Sequence, residues 1–258
     1  MHKISFILFI SLLVILWSFR DPDPVNEAEL GKLLFFDPIL SKDSTLSCAS
    51  CHKPEFAFAD HVAISPGVNG SIGRRNAPSV MNMSARSVLF YDGRAKDLED
   101  QVHFPIEDPK EMNASMDEII IRLINNKRYA GYFKSIYNEA PDIHNLSKAL
   151  AAYEAGLETS DTEFDAWMND LPNTMSVSAI RGRELFMSKK AKCFDCHFSP
   201  DFTGDEFKNI GLFDEFKYKD KGRYEVSGNK DDIGKFKVPG LRNVAVTGPY
   251  MHDGSFAN

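Results

Sequence analysis

The sequence has no surplus of positive charge. Its 258 residues carry 30 lysines and arginines against 37 aspartates and glutamates, a net charge of −7. No basic stripe stands out, so a nucleic-acid partner is not expected. No apolar run reaches the roughly 20 residues that a transmembrane helix needs. Cysteine is scarce, at four, and all four lie in two short clusters, which excludes the dispersed framework of a disulfide scaffold. Strand-like alternation is missing as well. A hydrophobic content of 43% excludes wholesale disorder and is ample for a packed core. The length suits one large or two small domains.

What is present begins with an apolar stretch, Ile4 to Trp17, that follows His2 and Lys3 and is broken only by Ser5 and Ser11. It has the size of a signal h-region. The exit, Ser18-Phe19-Arg20-Asp21-Pro22, is a poor small-residue cleavage site. Residues 1–20 therefore read as an export signal or, if uncleaved, as an N-terminal membrane anchor. Beyond them the pattern is mainly α-helical with long loops. Glu27 to Phe36 reads as a helix that stops before Asp37-Pro38. Ser115 and Glu118 form a capping-box signature ahead of Ile119, Ile120, Leu123 and Ile124, which share one helical face. Helical spacing returns over Leu146 to Leu157 and over Val177 to Phe186. Leu171-Pro172-Asn173 marks a boundary between a domain at 21–171 and another at 172–258. The stretches 53–112 and 198–258 are rich in Gly, Pro, Asn and Asp, and loops of that length are usually functional.

The four cysteines fall in two copies of C-x-x-C-H: Cys48-Ala49-Ser50-Cys51-His52 and Cys193-Phe194-Asp195-Cys196-His197. This pattern attaches c-type haem, the thiols forming thioethers to the vinyl groups and the histidine reaching the iron. A thioredoxin-like dithiol would want a βαβ context, and a zinc site would not need a histidine directly after each pair. Two complete copies behind an export segment, with no spare cysteine, point to two covalently attached haem c groups. A weak repeat supports this. Gly31-Lys32-Leu33-Leu34-Phe35 precedes the first motif and Gly182-Arg183-Glu184-Leu185-Phe186 the second, each reading as a helix whose Leu and Phe would pack on the haem that follows.

Further strings carry a resemblance. They are L-G-K-L-L-F-F-D-P-I-L-S at 30–41, R-N-A-P-S-V-M-N at 75–82, F-Y-D-G-R-A at 90–95, L-E-D-Q at 98–101, P-I-E-D-P-K-E-M at 105–112 and V-P-G-L-R-N-V-A-V-T-G-P-Y-M-H-D-G at 238–254. In these the chain resembles the bacterial dihaem cytochrome c peroxidases, a family that includes the enzymes maturing tryptophan-derived quinone cofactors. The resemblance implies two cytochrome c-like haem domains with calcium between them. It makes the haem on His52 the peroxide-reacting one, and it has the haem on His197 take electrons from a small donor protein, a cytochrome c or cupredoxin. The family's distal Glu and Gln fall on Glu111, as proton shuttle, and Gln101, which would position peroxide or water. Its calcium ligands fall on Asn76, Thr247 and Pro249, neutral oxygens suited to a hard cation. A periplasmic location and a homodimer are further implications.

Three departures from the family pattern matter. Many members place a histidine in the Gly-rich loop that blocks the peroxidatic iron. In Ser65-Pro66-Gly67-Val68-Asn69-Gly70 the aligned residue is Val68, which cannot ligate, so an open, high-spin haem is expected. His61 is the nearest substitute and reads as an exposed loop histidine. The family's inter-haem Trp is replaced by Tyr91, whose oxidation would be coupled to proton loss. The sequence also stops at Gly254-Ser255-Phe256-Ala257-Asn258, where the family continues with helices that supply the second haem's sixth ligand. The C-terminal domain is thus expected to be truncated. The reading is a peroxidase that reduces hydrogen peroxide to water. Its rivals are an oxidase of the same fold that modifies a partner protein, and a non-enzymatic dihaem electron carrier.

Overall fold

The computed structural model describes residues 22–172, 174–215 and 219–258. The expected export segment at 1–20, and Asn173 of the expected boundary, lie outside the described residues. The chain is mainly helical. Its helices are α1 (Glu27–Phe36), α2 (Cys48–Cys51), α3 (Leu98–Gln101), α4 (His103–Glu107), α5 (Met116–Asn125), α6 (Lys127–Tyr137), α7 (Ile143–Ala155), α8 (Glu163–Met168), α9 (Val177–Met187) and α10 (Tyr224–Ser227). Two short strands, β1 (Phe207–Lys208) and β2 (Phe236–Lys237), pair antiparallel with Phe207 opposite Lys237.

The helix expected over Glu27 to Phe36 has those bounds. The Asn26 side chain accepts from the Glu29 amide at its start, and Asp37 leaves it in an extended conformation. Leu30, Leu34 and Phe35 are fully buried, facing Leu146, Ala149 and Leu150 of α7. Each such side chain contributes about 1.5–3 kcal/mol on removal from water. The two helices meet at Gly31, where a Cβ would lie 1.8 Å from the carbonyl oxygen of Ala149. The capping box of α5 is formed. The Glu118 amide donates to Ser115 Oγ at 3.2 Å, and the Ser115 amide to Glu118 Oε2 at 3.3 Å. Ile119 and Leu123 are buried and Ile120 half-buried, but Ile124 is exposed. The α5 face that meets the core runs Met116–Ile119–Leu123, and Ile124 stands one residue further round the helix.

The core lies between Leu30 and Leu150. Beyond it, Val238 is the one buried hydrophobic side chain among the described residues. The second G-x-x-L-F string therefore does not behave like the first. α9 buries no residue, Leu185 is exposed, and Gly182 has open space around it. Its ring contacts are peripheral, Phe186 on Phe202 at 6.1 Å and Arg183 over Trp167 at 4.7 Å. The two long loop regions are tied together by ion pairs. Arg75 donates to Asp220 at 2.7 and 2.8 Å and to Asp92 at 2.5 Å. Arg86 reaches Asp201 at 2.5 Å, and Arg223 donates to the carbonyls of Asp92 and Gly93.

Candidate active site

Each C-x-x-C-H motif opens onto its own cavity, and the cavity walls come from the long loops. The first, of about 570 Å³, is lined by Cys48, Cys51 and His52 together with Gln101 and Glu111. α2 starts at Ser47, whose reciprocal bonds with Ser50 cap it and present both thiols on one turn. All four cysteines are free. Burial raises the Cys48 thiol, with Glu154 adding to the effect. His52 Nδ1 lies 3.0 Å from the Phe58 carbonyl and 3.1 Å from that of Pro78. Both partners only accept, so the proton sits on Nδ1 and the Nε2 lone pair is left available. Desolvation also lowers the His52 pKa and keeps the ring neutral.

Glu111 and Gln101 reach this wall by different routes. Gln101 ends α3, which begins where the Asp97 side chain accepts from the Asp100 amide. Glu111 follows a tight turn in which its amide donates to the Asp108 carbonyl at 3.0 Å. Its own carbonyl accepts from the Val68 amide at 2.8 Å. Gly67 beside Val68 approaches this turn so closely that a Cβ would lie 2.0 Å from the Lys110 carbonyl oxygen. Desolvation raises the Glu111 pKa, Asp108 raises it further, and Arg94 opposes them. Val68 is buried at 2% exposure and stands outside the cavity wall. His61 is turned away from it, its ring tilted against Phe56 at 4.7 Å with Nδ1 3.2 Å from Asp60. Among the described residues, His52 is the one histidine that lines the first cavity.

The second cavity, of about 540 Å³, is lined by Cys193, Cys196 and His197. His197 Nδ1 donates to the Phe202 carbonyl at 2.9 Å, the same arrangement as at His52. Asn76, Thr247 and Pro249 all line this cavity. The Asn76 amide group donates to the carbonyls of Val62 and Ala63 at 3.1 and 3.2 Å, so its Oδ1 points elsewhere. Tyr91 lies in the wall between the cavities, lining both, as do Pro78 and Phe90. Its hydroxyl donates to Asn76 Oδ1 at 3.5 Å. Burial raises the phenol pKa, Arg75 opposes the shift and Asp253 adds to it.

Both cavities fit a c-type haem. Each offers two free thiols and an imidazole whose Nδ1 meets a backbone carbonyl, which fixes the tautomer that leaves Nε2 as the ligand atom. The sequence reading did not single out Glu154 on α7, which lines the first wall. Its position four residues after buried Leu150, on the apolar stripe, was the available signal.

The family model for di-haem cytochrome c peroxidase matches residues 25–172. The chain is 39% identical over 240 residues to cytochrome c551 peroxidase of Nitrosomonas europaea, covering 92% of this chain and 71% of that protein. It is 38% identical to the cytochrome c peroxidase Ccp of Escherichia coli, covering 90% of this chain and about half of that longer protein. Among solved structures it is similar to a MauG-like protein associated with microbial copper homeostasis. That match has a TM-score of 0.82 and 32% identity, and covers 92% of this chain and 75% of that one.

Proposed function

The chain belongs to the di-haem cytochrome c peroxidases, oxidoreductases that act on peroxide, and we propose that it reduces hydrogen peroxide to water at the cavity of His52. Electrons would enter at the cavity of His197 from a small redox protein, a cytochrome c or cupredoxin. The observation that carries this division of labour is chemical. Glu111 and Gln101 stand in the first cavity wall, while among the described residues the second wall has neither glutamate nor glutamine.

Haem bound at each motif supplies the iron for peroxide reduction and the means of passing electrons singly. The chain's own residues handle the protons. A Glu111 carboxylate oxygen takes the proton from one peroxide oxygen and delivers it to the other, which leaves as water. With two electrons and two protons, one peroxide gives two waters. A raised pKa suits this double role, because base and acid strengths are best balanced near the working pH. Gln101 is uncharged and orients peroxide through its amide without competing for the proton. Val68, buried and outside the wall, leaves peroxide free to enter. Tyr91 bridges the cavities.

The same reading takes residues 21–171 as the peroxidatic domain and 172–258 as the electron-entry domain, in an exported, periplasmic protein that pairs as a homodimer. No helix among the described residues is long and apolar enough to cross a membrane. Among those residues no group of three His, Cys, Asp or Glu side chains could hold a metal ion. A calcium ion would accordingly rest on neutral oxygens, Asn76 Oδ1 and the carbonyls of Thr247 and Pro249. The test is steady-state peroxide consumption by the calcium-loaded dihaem protein with reduced cytochrome c. Turnover is expected from the fully oxidised resting state and falls by about 100-fold or more in Glu111→Gln. Absence of turnover with both haems attached would favour oxidation of a partner protein or simple electron carriage.

A further inference from the structure

Glu154 occupies the last turn of α7 and lines the first cavity at 6% exposure. Its carboxyl makes no hydrogen bond or ion pair among the described residues, yet its oxygens are not sealed off, so they face the cavity. Ionisation there is opposed twice. Water is largely excluded, and the carbonyl end of the helix carries partial negative charge.

The charged groups around it offer no relief. On the elements packed against α7 these are Glu27, Glu29 and Lys32 of α1, Glu99 and Asp100 of α3, and Asp117, Glu118 and Arg122 of α5. Cys48 of α2 and Tyr153 of α7 sense Glu154. Across the cavity, Arg75 and Arg94 are engaged by Asp92, and Arg74 by Glu225. Asp108, Lys110 and Glu111 complete the far wall. Desolvation alone acts on Glu154, pushing its pKa up to about 8. A buried acid without a partner is destabilising once it ionises, unless positive charge arrives beside it.

We propose that Glu154 is the proton-coupling residue of the first haem site, taking up a proton when the site gains an electron and releasing it when the site loses one. The proposal rests on the reading that haem occupies the cavity of Cys48 and His52. When an electron leaves for peroxide, the site becomes more positive, and one proton passes from the Glu154 carboxyl to solvent. When the donor returns the electron, one proton returns. The ionised carboxylate favours the oxidised site, so the reduction potential falls as pH rises. The fall ceases above the pH at which Glu154 is ionised in both states. Glu154 thus acts on the haem's potential, separately from the proton shuttle at Glu111.

The experiment is a spectroelectrochemical titration of the dihaem protein across pH, with the two haems followed as separate one-electron waves. Wild-type protein is expected to show one wave whose equilibrium constant shifts by up to tenfold per pH unit below about pH 8, equivalent to 59 mV. That slope persists in Glu111→Gln and in Glu154→Asp, which keeps the carboxyl, and flattens in Glu154→Gln. A slope unchanged in Glu154→Gln, in protein that still consumes peroxide, overturns this proposal and leaves the peroxidase reading intact. A wild-type protein that attaches no haem at Cys48 and Cys51 overturns both. Should Glu154→Gln fail to fold, redox-difference infrared spectra of Glu111→Gln serve instead. A protonated-carboxyl band gained on reduction and lost on oxidation, shifted in Glu154→Asp, supports the proposal; its absence overturns it.

Discussion

Glu111 can serve peroxide only as a carboxylate that takes a proton and then returns it, so its pKa sets the acid side of the pH profile. Because burial and Asp108 raise that pKa, the acid limb of kcat/KM is expected above the ordinary glutamate value of about 4.3. The neighbours give two shifts of opposite sign. Asp108→Asn removes a negative charge while keeping the oxygen that accepts from the Lys110 amide, and the limb moves to lower pH. Arg94→Gln removes the positive charge that opposes the rise, and the limb moves to higher pH. Profiles that shift the same way in both variants, or not at all, would show that Glu111 does not set the limb. The residue scale also fixes the resting state of the iron. His61 is held on Phe56 and Asp60, Val68 is buried, and His52 is the only histidine of the first cavity wall among the described residues. The oxidised protein should therefore show a high-spin haem without prior reduction, read by its absorption and electron paramagnetic resonance spectra. Two purely low-spin haems would contradict it.

Helices make the contrast between the two halves measurable. Gly31 and Gly182 open the same G-x-x-L-F pattern, yet a Cβ at Gly31 would strike the Ala149 carbonyl at 1.8 Å whereas one at Gly182 meets nothing. Gly31→Ala must push α1 from α7 and should cost about 1–3 kcal/mol or more. Gly182→Ala should stabilise α9 by roughly 0.5–1 kcal/mol through helix propensity. Denaturant midpoints of the two variants test this, and equal shifts would mean that the string has one structural meaning after all. The same contrast shows what was legible in the sequence. Local signals read correctly: α1 stops before Asp37-Pro38, and Ser115 with Glu118 starts α5. The two C-x-x-C-H motifs pointed to the cysteines and histidines that line the two cavities, because covalent haem attachment requires fixed spacing. The second pentapeptide misled, because five residues say nothing of what packs on them. Also invisible were contacts joining distant segments, such as the Pro78 carbonyl on His52 and Asp220 on Arg75. The sequence names such partners but not the closure of the loops that brings them together.

At the scale of the whole molecule, the proposed division of labour requires electrons to pass between the two cavities, through a wall that Tyr91 shares with Pro78 and Phe90. A tyrosine can carry an electron by losing its proton at the same time, and that needs a base beside the hydroxyl. Here the partner is an amide oxygen, Asn76 Oδ1, at a long 3.5 Å. Burial raises the phenol pKa as well, so proton loss is disfavoured. What Tyr91 provides is then its ring, a polarisable bridge filling the wall, rather than a radical way station. Two variants separate these roles. Tyr91→Phe keeps the ring and should slow inter-haem transfer only slightly, with rates nearly equal in light and heavy water. Tyr91→Leu removes the ring and should slow transfer much more. If Phe proved as slow as Leu, and the wild-type rate fell in heavy water, the hydroxyl proton would belong to the transfer step. Stopped-flow reduction of the haem on His197, followed by the rise of reduced haem on His52, reads both rates directly.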